Sequence, residues 1–265
     1  MKITVVTVAY NEEANIRRTI ESVLNQTSCD FEYIICDGKS TDGTVDVAKS
    51  YIPAFVERGI SFQIWSEKDK GIYDAMNKGI ERSQGEYVHF LNAGDWYYDS
   101  NVISDVAEKI IETGMPDVIY GDIVYVERGV VLRQATDHND LRRGMTMAHP
   151  STFVANYILK EKFFDTQYKI AADYNLLLDL YLEGKVFSNI HIPISYFELD
   201  GVSATNISGS LKEQREVLVS HGQPPTRPED EQSARKAARI RRIKYMLPEV
   251  IWKWWCVKIK KKEML

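Results

Sequence analysis

Five short apolar runs, near residues 2–9, 31–36, 61–65, 86–91 and 117–120, alternate with longer amphipathic segments through the first 120 residues. A strand covered on both faces needs a near-continuous apolar run, and a crossover helix needs an apolar stripe with a period near 3.6. The alternation therefore restricts this chain to helices wrapped on a mostly parallel sheet. The helical stripes are carried by Ile16, Ile20, Val23 and Leu24, then by Val45 and Ala48, then by Ile72, Ala75, Met76 and Ile80. The expected architecture is a doubly wound α/β sheet. In such sheets a ligand lies beyond the carboxyl ends of the strands, where strand order reverses, so the residues just after each run matter most.

After about residue 122 the pattern loosens into a predicted hairpin over 123–134, an irregular Met-rich stretch to His149 and a helix over 172–183. The expected organisation is a ligand-binding α/β region over 1–122, a smaller region of the same domain over 123–220, a Pro-rich linker over 221–233 and a helical tail over 234–265. A chain of 265 residues, 44% hydrophobic and 27% charged, is long enough for a substantial core. Three cysteines, Cys29, Cys36 and Cys256, show neither paired nor metal-ligand spacing, which points to a reducing cytosol. After Met1 and Lys2 the chain enters its first strand at once, which leaves no room for a signal segment. No apolar run of about 18 residues follows, so a cytoplasmic location is expected.

Charge is distributed unevenly. Residues 235–265 hold 11 of the 33 Lys and Arg and two of the 38 Asp and Glu, leaving the body at −14 and the tail at +9. An acidic body lacks the cations needed to neutralise a phosphate backbone, so nucleic acid is not an expected partner. In the tail, Ile240, Ile243, Met246, Leu247, Val250, Ile251, Trp254 and Trp255 recur at three- and four-residue spacing among basic residues, with Pro248 marking a kink. This basic amphipathic pattern predicts in-plane helices on an anionic membrane, with the protein peripheral on the inner face of the cell membrane. The same stripe would also serve a helix docked on its own domain or on a second subunit of a homo-oligomer.

The first run ends in Ala9-Tyr10-Asn11-Glu12-Glu13 without the Gly-rich fingerprint of a dinucleotide site. The second ends in Asp37-Gly38-Lys39-Ser40-Thr41-Asp42-Gly43-Thr44, where Ser40, Thr41 and Asp42 suit helix capping and Asp37 stands too early for it, leaving Asp37 to a nucleoside. The fourth ends in Asn92-Ala93-Gly94-Asp95, either a plain turn or a carboxylate delivered to the same crevice, beside Asp37 if the two strands are neighbours. Two acids facing a phosphate-bearing ligand call for a cation, Mg²⁺ or Mn²⁺. Asp173 lies three, four and seven residues before Leu176, Leu177 and Leu180, which turns it toward the buried side at a helix start. It suits either a plain N-cap or an ionised general base.

Together with Asp69-Lys70-Gly71-Ile72-Tyr73-Asp74-Ala75-Met76-Asn77-Lys78-Gly79, these segments resemble family 2 glycosyltransferases of the GT-A fold over roughly residues 1–200. The resemblance implies that 1–122 binds a nucleoside-diphosphate-sugar, a UDP-sugar first among them, and that 123–220 faces a hydroxyl acceptor, which a membrane-bound tail would make lipid-linked. Ala9, Tyr10, Asn11, Glu12, Asp37, Lys70, Asn77, Asn92 and Asp95 would line the donor, Asp95 would hold the metal, and His149 would stand on the acceptor side. Asp173 would be the base of an inverting displacement. The family's metal motif usually ends in two adjacent acids, and here Gly94 precedes Asp95. Two rival readings are a nucleotidyltransferase, disfavoured by Glu12 and Glu13 where a basic triphosphate loop would stand, and a non-catalytic sugar-nucleotide-binding scaffold, favoured by Gly94.

Overall fold

The computed structural model describes residues 2–127, 130–198, 206–225 and 263–264. Strands β1 (Ile3–Ala9), β2 (Phe31–Asp37) and β3 (Ser61–Ser66) are parallel neighbours, and β4 (Tyr87–Phe90) pairs in parallel with the other side of β1. Every residue of β1, β2 and β4 is buried, as their largely apolar runs require, whereas β3 forms the sheet edge and is largely open. Helices α1 (Ile16–Leu24), α2 (Thr44–Ser50), α3 (Ile52–Glu57) and α4 (Ile72–Arg82) connect them. In α4 the buried stripe runs through Tyr73, Ala75, Met76, Gly79 and Ile80; Tyr73 takes the place expected for Ile72, which is exposed.

The order of the strands reverses at β1, which places the crevice of this sheet at the carboxyl ends of β1 and β4. It also corrects one expectation. The strands ending in Asp37 and before Asp95 are not neighbours, because β1 lies between β2 and β4.

Beyond β4 come β5 (Trp96–Tyr97), α5 (Val102–Glu112), the hairpin β6 (Val118–Glu127) and β7 (Val130–Gln134), β8 (Thr152–Ala155), α6 (Asn156–Lys162), α7 (Ala172–Leu182), β9 (Phe187–Glu198) and α8 (Ile207–Ser220). The four-residue β8 inserts antiparallel between β4 and β6, and the long β9 pairs in parallel with β6 and antiparallel with β5. Only the first half is a purely parallel sheet. Helix α7 buries Ala172, Tyr174, Leu176, Leu177, Leu178 and Leu180, which is almost its whole circumference. Among the described residues no helix is long and apolar enough to cross a membrane. The tail expected over 234–265 lies outside the described residues except at β10 (Glu263–Met264), whose backbone pairs antiparallel with Val130 and Val131 of β7.

Candidate active site

The loops after β1 and β2 are tied together before they can face a ligand. Asn11 adopts the left-handed conformation that Asn tolerates, with φ 55°. Its N–H donates to Ser40 Oγ at 2.8 Å, and its Oδ1 accepts from the Thr41 N–H at 2.9 Å. The Glu12 N–H donates to Thr44 Oγ1 at 2.8 Å, and Glu12 Oε2 accepts from Asn15 Nδ2 at 2.9 Å. Asn11 and Glu12 therefore shape the rim of the crevice. Ala9 closes it from below, buried and in register with Asp37, its carbonyl accepting from the Gly38 N–H at 2.8 Å.

Asp37 is buried and engaged rather than free. Its carboxylate accepts from the Ser40 N–H at 3.0 Å, from Ser66 Oγ at 2.5 Å and from Ser40 Oγ, so three of about four acceptor positions are filled. A nucleoside hydroxyl reaching Asp37 would have to share it with the serines. Tyr10, 61% exposed, stands beside Gly38, where an added Cβ would meet Tyr10 Cδ2 at 3.2 Å and run into Asp69 Oδ2. Asp69 thus joins Tyr10 at the mouth of the crevice. It stands inside the 69–79 motif, where nothing in the sequence sets it apart; only the close approach at Gly38 identifies it.

The turn after β4 is braced from α1. Thr19 Oγ1 donates to the Asp95 carbonyl at 2.6 Å and accepts from the Gly94 N–H at 3.0 Å. Arg18 donates to the Gly94 carbonyl at 2.7 Å and to Glu198 at 2.9 Å, with its guanidinium 3.6 Å above the Trp96 ring. Gly94 has φ +101°, a backbone conformation that an acidic side chain would adopt only under strain. Gly94 thus fits the turn as it stands, with no strain. Asp95 is buried in this turn, and Asn92 Oδ1, three residues earlier in the chain, is buried with no hydrogen-bond partner. Among the described residues no group of three or more His, Cys, Asp or Glu forms a complete metal cage. One carboxylate and one unpaired amide oxygen fit Mg²⁺ or Mn²⁺, hard ions that take their remaining oxygens from phosphates and water.

On the far side, Asp173 occupies the second position of α7, not the N-cap, which is Ala171. Half-buried, it accepts through Oδ1 from the Tyr73 hydroxyl at 2.9 Å, and that hydroxyl also approaches the Ile170 carbonyl at 2.7 Å. Burial, and then the Asp173 charge, hold the Tyr73 phenol well above its ordinary range, so it remains a donor. The apolar periodicity of α4 hides this residue; its phenol, which needs a partner once buried, is the one clue the sequence carries. His149 stacks on Phe90 with ring centroids 5.4 Å apart and meets Phe164 edge-on at 5.8 Å. Burial lowers its imidazole, with Asp173 pulling the other way.

Two other expected donor residues behave differently. Lys70 is exposed, and its backbone N–H donates to Asp74 Oδ2 at 3.0 Å. Asn77 gives both ends of its amide to one residue: Nδ2 donates to the Phe164 carbonyl at 2.9 Å, and Oδ1 accepts from the Phe164 N–H at 2.8 Å. It fastens α4 to the segment leading into α7.

The sequence profile described as Glycosyl transferase family 2 matches residues 4–173. A PGL/p-HBAD biosynthesis glycosyltransferase of Mycobacterium bovis (strain BCG / Pasteur 1173P2) is 29% identical over 198 residues, 74% of this chain and 76% of the relative. The S. aureus TarS 1-349 structure in complex with UDP-GlcNAc superposes with a TM-score of 0.65 at 20% identity, covering 82% of this chain and 64% of that one. The mannosyltransferase PcManGT from Pyrobaculum calidifontis, in complex with GDP-Man and Mn²⁺, superposes with a TM-score of 0.65 at 14% identity, covering 89% and 68%. The chain thus spans slightly less than two thirds of the TarS fragment, and these solved structures share its GT-A fold.

Proposed function

The chain belongs to glycosyl transferase family 2 and is a glycosyltransferase; on that premise we propose that it moves a sugar, with inversion, from a UDP-sugar to an acceptor hydroxyl in cell-surface polysaccharide or glycolipid synthesis. The observation that supports Asp173 as the base this reading needs is its orientation by the Tyr73 hydroxyl at 2.9 Å. With Tyr73 on Oδ1, the second Asp173 oxygen is left to take the acceptor proton as the acceptor oxygen bonds to the anomeric carbon. The bond from that carbon to the diphosphate breaks, and its electron pair leaves with the diphosphate.

Tyr10, Asp37 and Asp69 are the proposed nucleoside contacts, with Lys70 reaching the phosphates from the exposed rim. Asn92 and Asp95 would hold Mn²⁺ or Mg²⁺, which when bound neutralises charge on the diphosphate. That PcManGT is described with GDP-Man and Mn²⁺, and TarS with UDP-GlcNAc, supports a metal and a sugar nucleotide as ligands. The family match and the glycosyltransferase relatives favour an enzyme over the non-catalytic scaffold.

The test is release of nucleoside diphosphate from UDP-glucose, UDP-N-acetylglucosamine and GDP-mannose, with and without Mn²⁺, by wild type and Asp95→Asn. Release from a UDP-sugar that needs both Mn²⁺ and Asp95 is expected. Metal-independent release, or equal rates in the variant, removes the metal role. The basic tail is proposed to hold the protein at an anionic membrane near a lipid-linked acceptor, on the strength of its +9 charge and apolar spacing. Full-length protein should pellet with anionic and not neutral liposomes, and absence from both pellets would reject that role.

A further inference from the structure

We propose that Glu213, in α8, is a positioning residue that sets Asp173 for proton transfer. This inference rests on the reading of Asp173 as the base. Helix α8 lies beyond the 4–173 match, on a stretch of chain to which neither the family profile nor the motifs above give a role.

The segment leading into α7 has no cap of its own, because Ala171 stands at the N-cap and offers no side-chain acceptor. Glu213 supplies one from outside. Its Oε2 accepts from three successive amides, Lys169 at 3.0 Å, Ile170 at 2.8 Å and Ala171 at 3.0 Å, and its Oε1 accepts from Lys169 at 3.0 Å. Convergence of three backbone donors on one carboxylate oxygen fixes the rotation of this segment as well as its location, since charge-assisted hydrogen bonds are short and directional. The Ile170 residue is thereby held at both ends: its N–H by Glu213, its carbonyl by the Tyr73 hydroxyl at 2.7 Å. The same hydroxyl holds Asp173 Oδ1, three residues along. Withdrawing Glu213 frees the Ile170 peptide to turn, and the phenol that bridges Ile170 and Asp173 must then follow one or the other.

The helix carrying Glu213 is itself well seated. Val217 and Leu218 are fully buried, and Gln214 Oε1 accepts from the Met145 N–H at 3.3 Å, on the strand of chain leading to His149. Glu213 thus reaches Asp173 only through the backbone at 169–171, and the expected loss is one of geometry. A misplacement on the scale of 1 Å can cost roughly 10²-fold in rate.

The experiment compares wild type, Glu213→Ala, Glu213→Gln, Asp173→Asn and the double variant Asp173→Asn/Glu213→Ala. Turnover of UDP-glucose, UDP-N-acetylglucosamine and GDP-mannose with Mn²⁺ is followed, water serving as acceptor. Glu213→Ala should lower kcat about 10-fold or more with the donor KM within about twofold of wild type. Glu213→Gln, which keeps an acceptor oxygen, should recover most of that loss even if the alanine variant folds poorly. In the Asp173→Asn background, Glu213→Ala should cause no further fall, because residues acting through one group are non-additive. A normal kcat in Glu213→Ala beside an inactive Asp173→Asn overturns the role of Glu213 alone, as does a further 10-fold fall in the double variant. Near-normal turnover in Asp173→Asn overturns the reading of the base itself.

Discussion

Asn77 shows how far a residue's type can stand from its job. In the sequence it belongs to a polar motif and resembles a donor contact, yet its amide is matched end for end with the Phe164 peptide. Asn77→Ala should therefore lower stability by about 1–3 kcal/mol, because Phe164 is buried and its N–H would lose its acceptor. Mn²⁺-dependent binding of UDP, measured by calorimetry, should stay within about twofold of wild type. Undiminished thermal stability with lost UDP affinity would instead return Asn77 to the donor site. The carboxylates divide in the same way. The placement of Asp95 after a strand and of Asp173 in the first turn of a helix was legible, because each stands at a recognisable break. The engagement of Asp37 by Ser40 and Ser66 was not, since Ser66 belongs to β3, 29 residues away, and only the parallel register that pairs Asp37 with Ser66 brings them together.

At the scale of elements, burial on both faces made most strands legible, although the open edge strand β3 was legible too. Strands β1, β2 and β4 announce themselves as apolar runs because helices cover them on two sides, and the helices between them carry the matching 3.6-residue stripe. The hairpin of β6 and β7 was equally plain, and the pairing of Ile123 with Gln134 ends where the sequence placed it. By contrast β8 has only four residues and follows a Met-rich stretch, so nothing local distinguishes a strand from a buried loop, and its antiparallel insertion between β4 and β6 depends on partners 64–68 and 32–36 residues away. β9 was missed for another reason. Only Ile194 and Ser195 among its twelve residues are buried, and Pro193 interrupts it where its register with β6 shifts at Asp122. The strands invisible in sequence belong to the second half of the fold, and with them went Arg18–Glu198 and Ser195, contacts that exist only because β9 returns to the first half of the fold.

The two halves of the molecule are joined in the core by His89, which gives the whole protein a dependence on pH. Its Nε2 lies 3.0 Å from the Pro150 carbonyl, which can only accept, so Nε2 carries the proton and Nδ1 accepts from the Tyr97 hydroxyl at 2.9 Å. Phe153 of β8 stacks on the ring with centroids 4.1 Å apart, so one imidazole spans β4, β5, β8 and the turn at Pro150. Burial lowers it from an ordinary 6.5 to about 3, and burial also lowers His138 and His149. A depressed folded value means that the unfolded chain binds the extra proton first. Stability from His89 is therefore fully present above about pH 6.5 and is lost as pH falls toward 3, at up to about 1.4 kcal/mol per pH unit for one proton. The melting temperature should be nearly level between pH 7 and 8 and fall steadily from pH 6 to 4, steepened by His138 and His149. Acid titration of carboxylates adds to this fall, so the decisive comparison is with His89→Phe. That variant should melt lower at pH 7.5, having left Tyr97 without its acceptor, while Pro150 keeps the Ser195 hydroxyl. Its decline from pH 6 to 4 should be shallower than wild type by about one proton's worth of slope. Parallel declines in the two proteins would show that His89 is not a group through which acid lowers the stability of the fold.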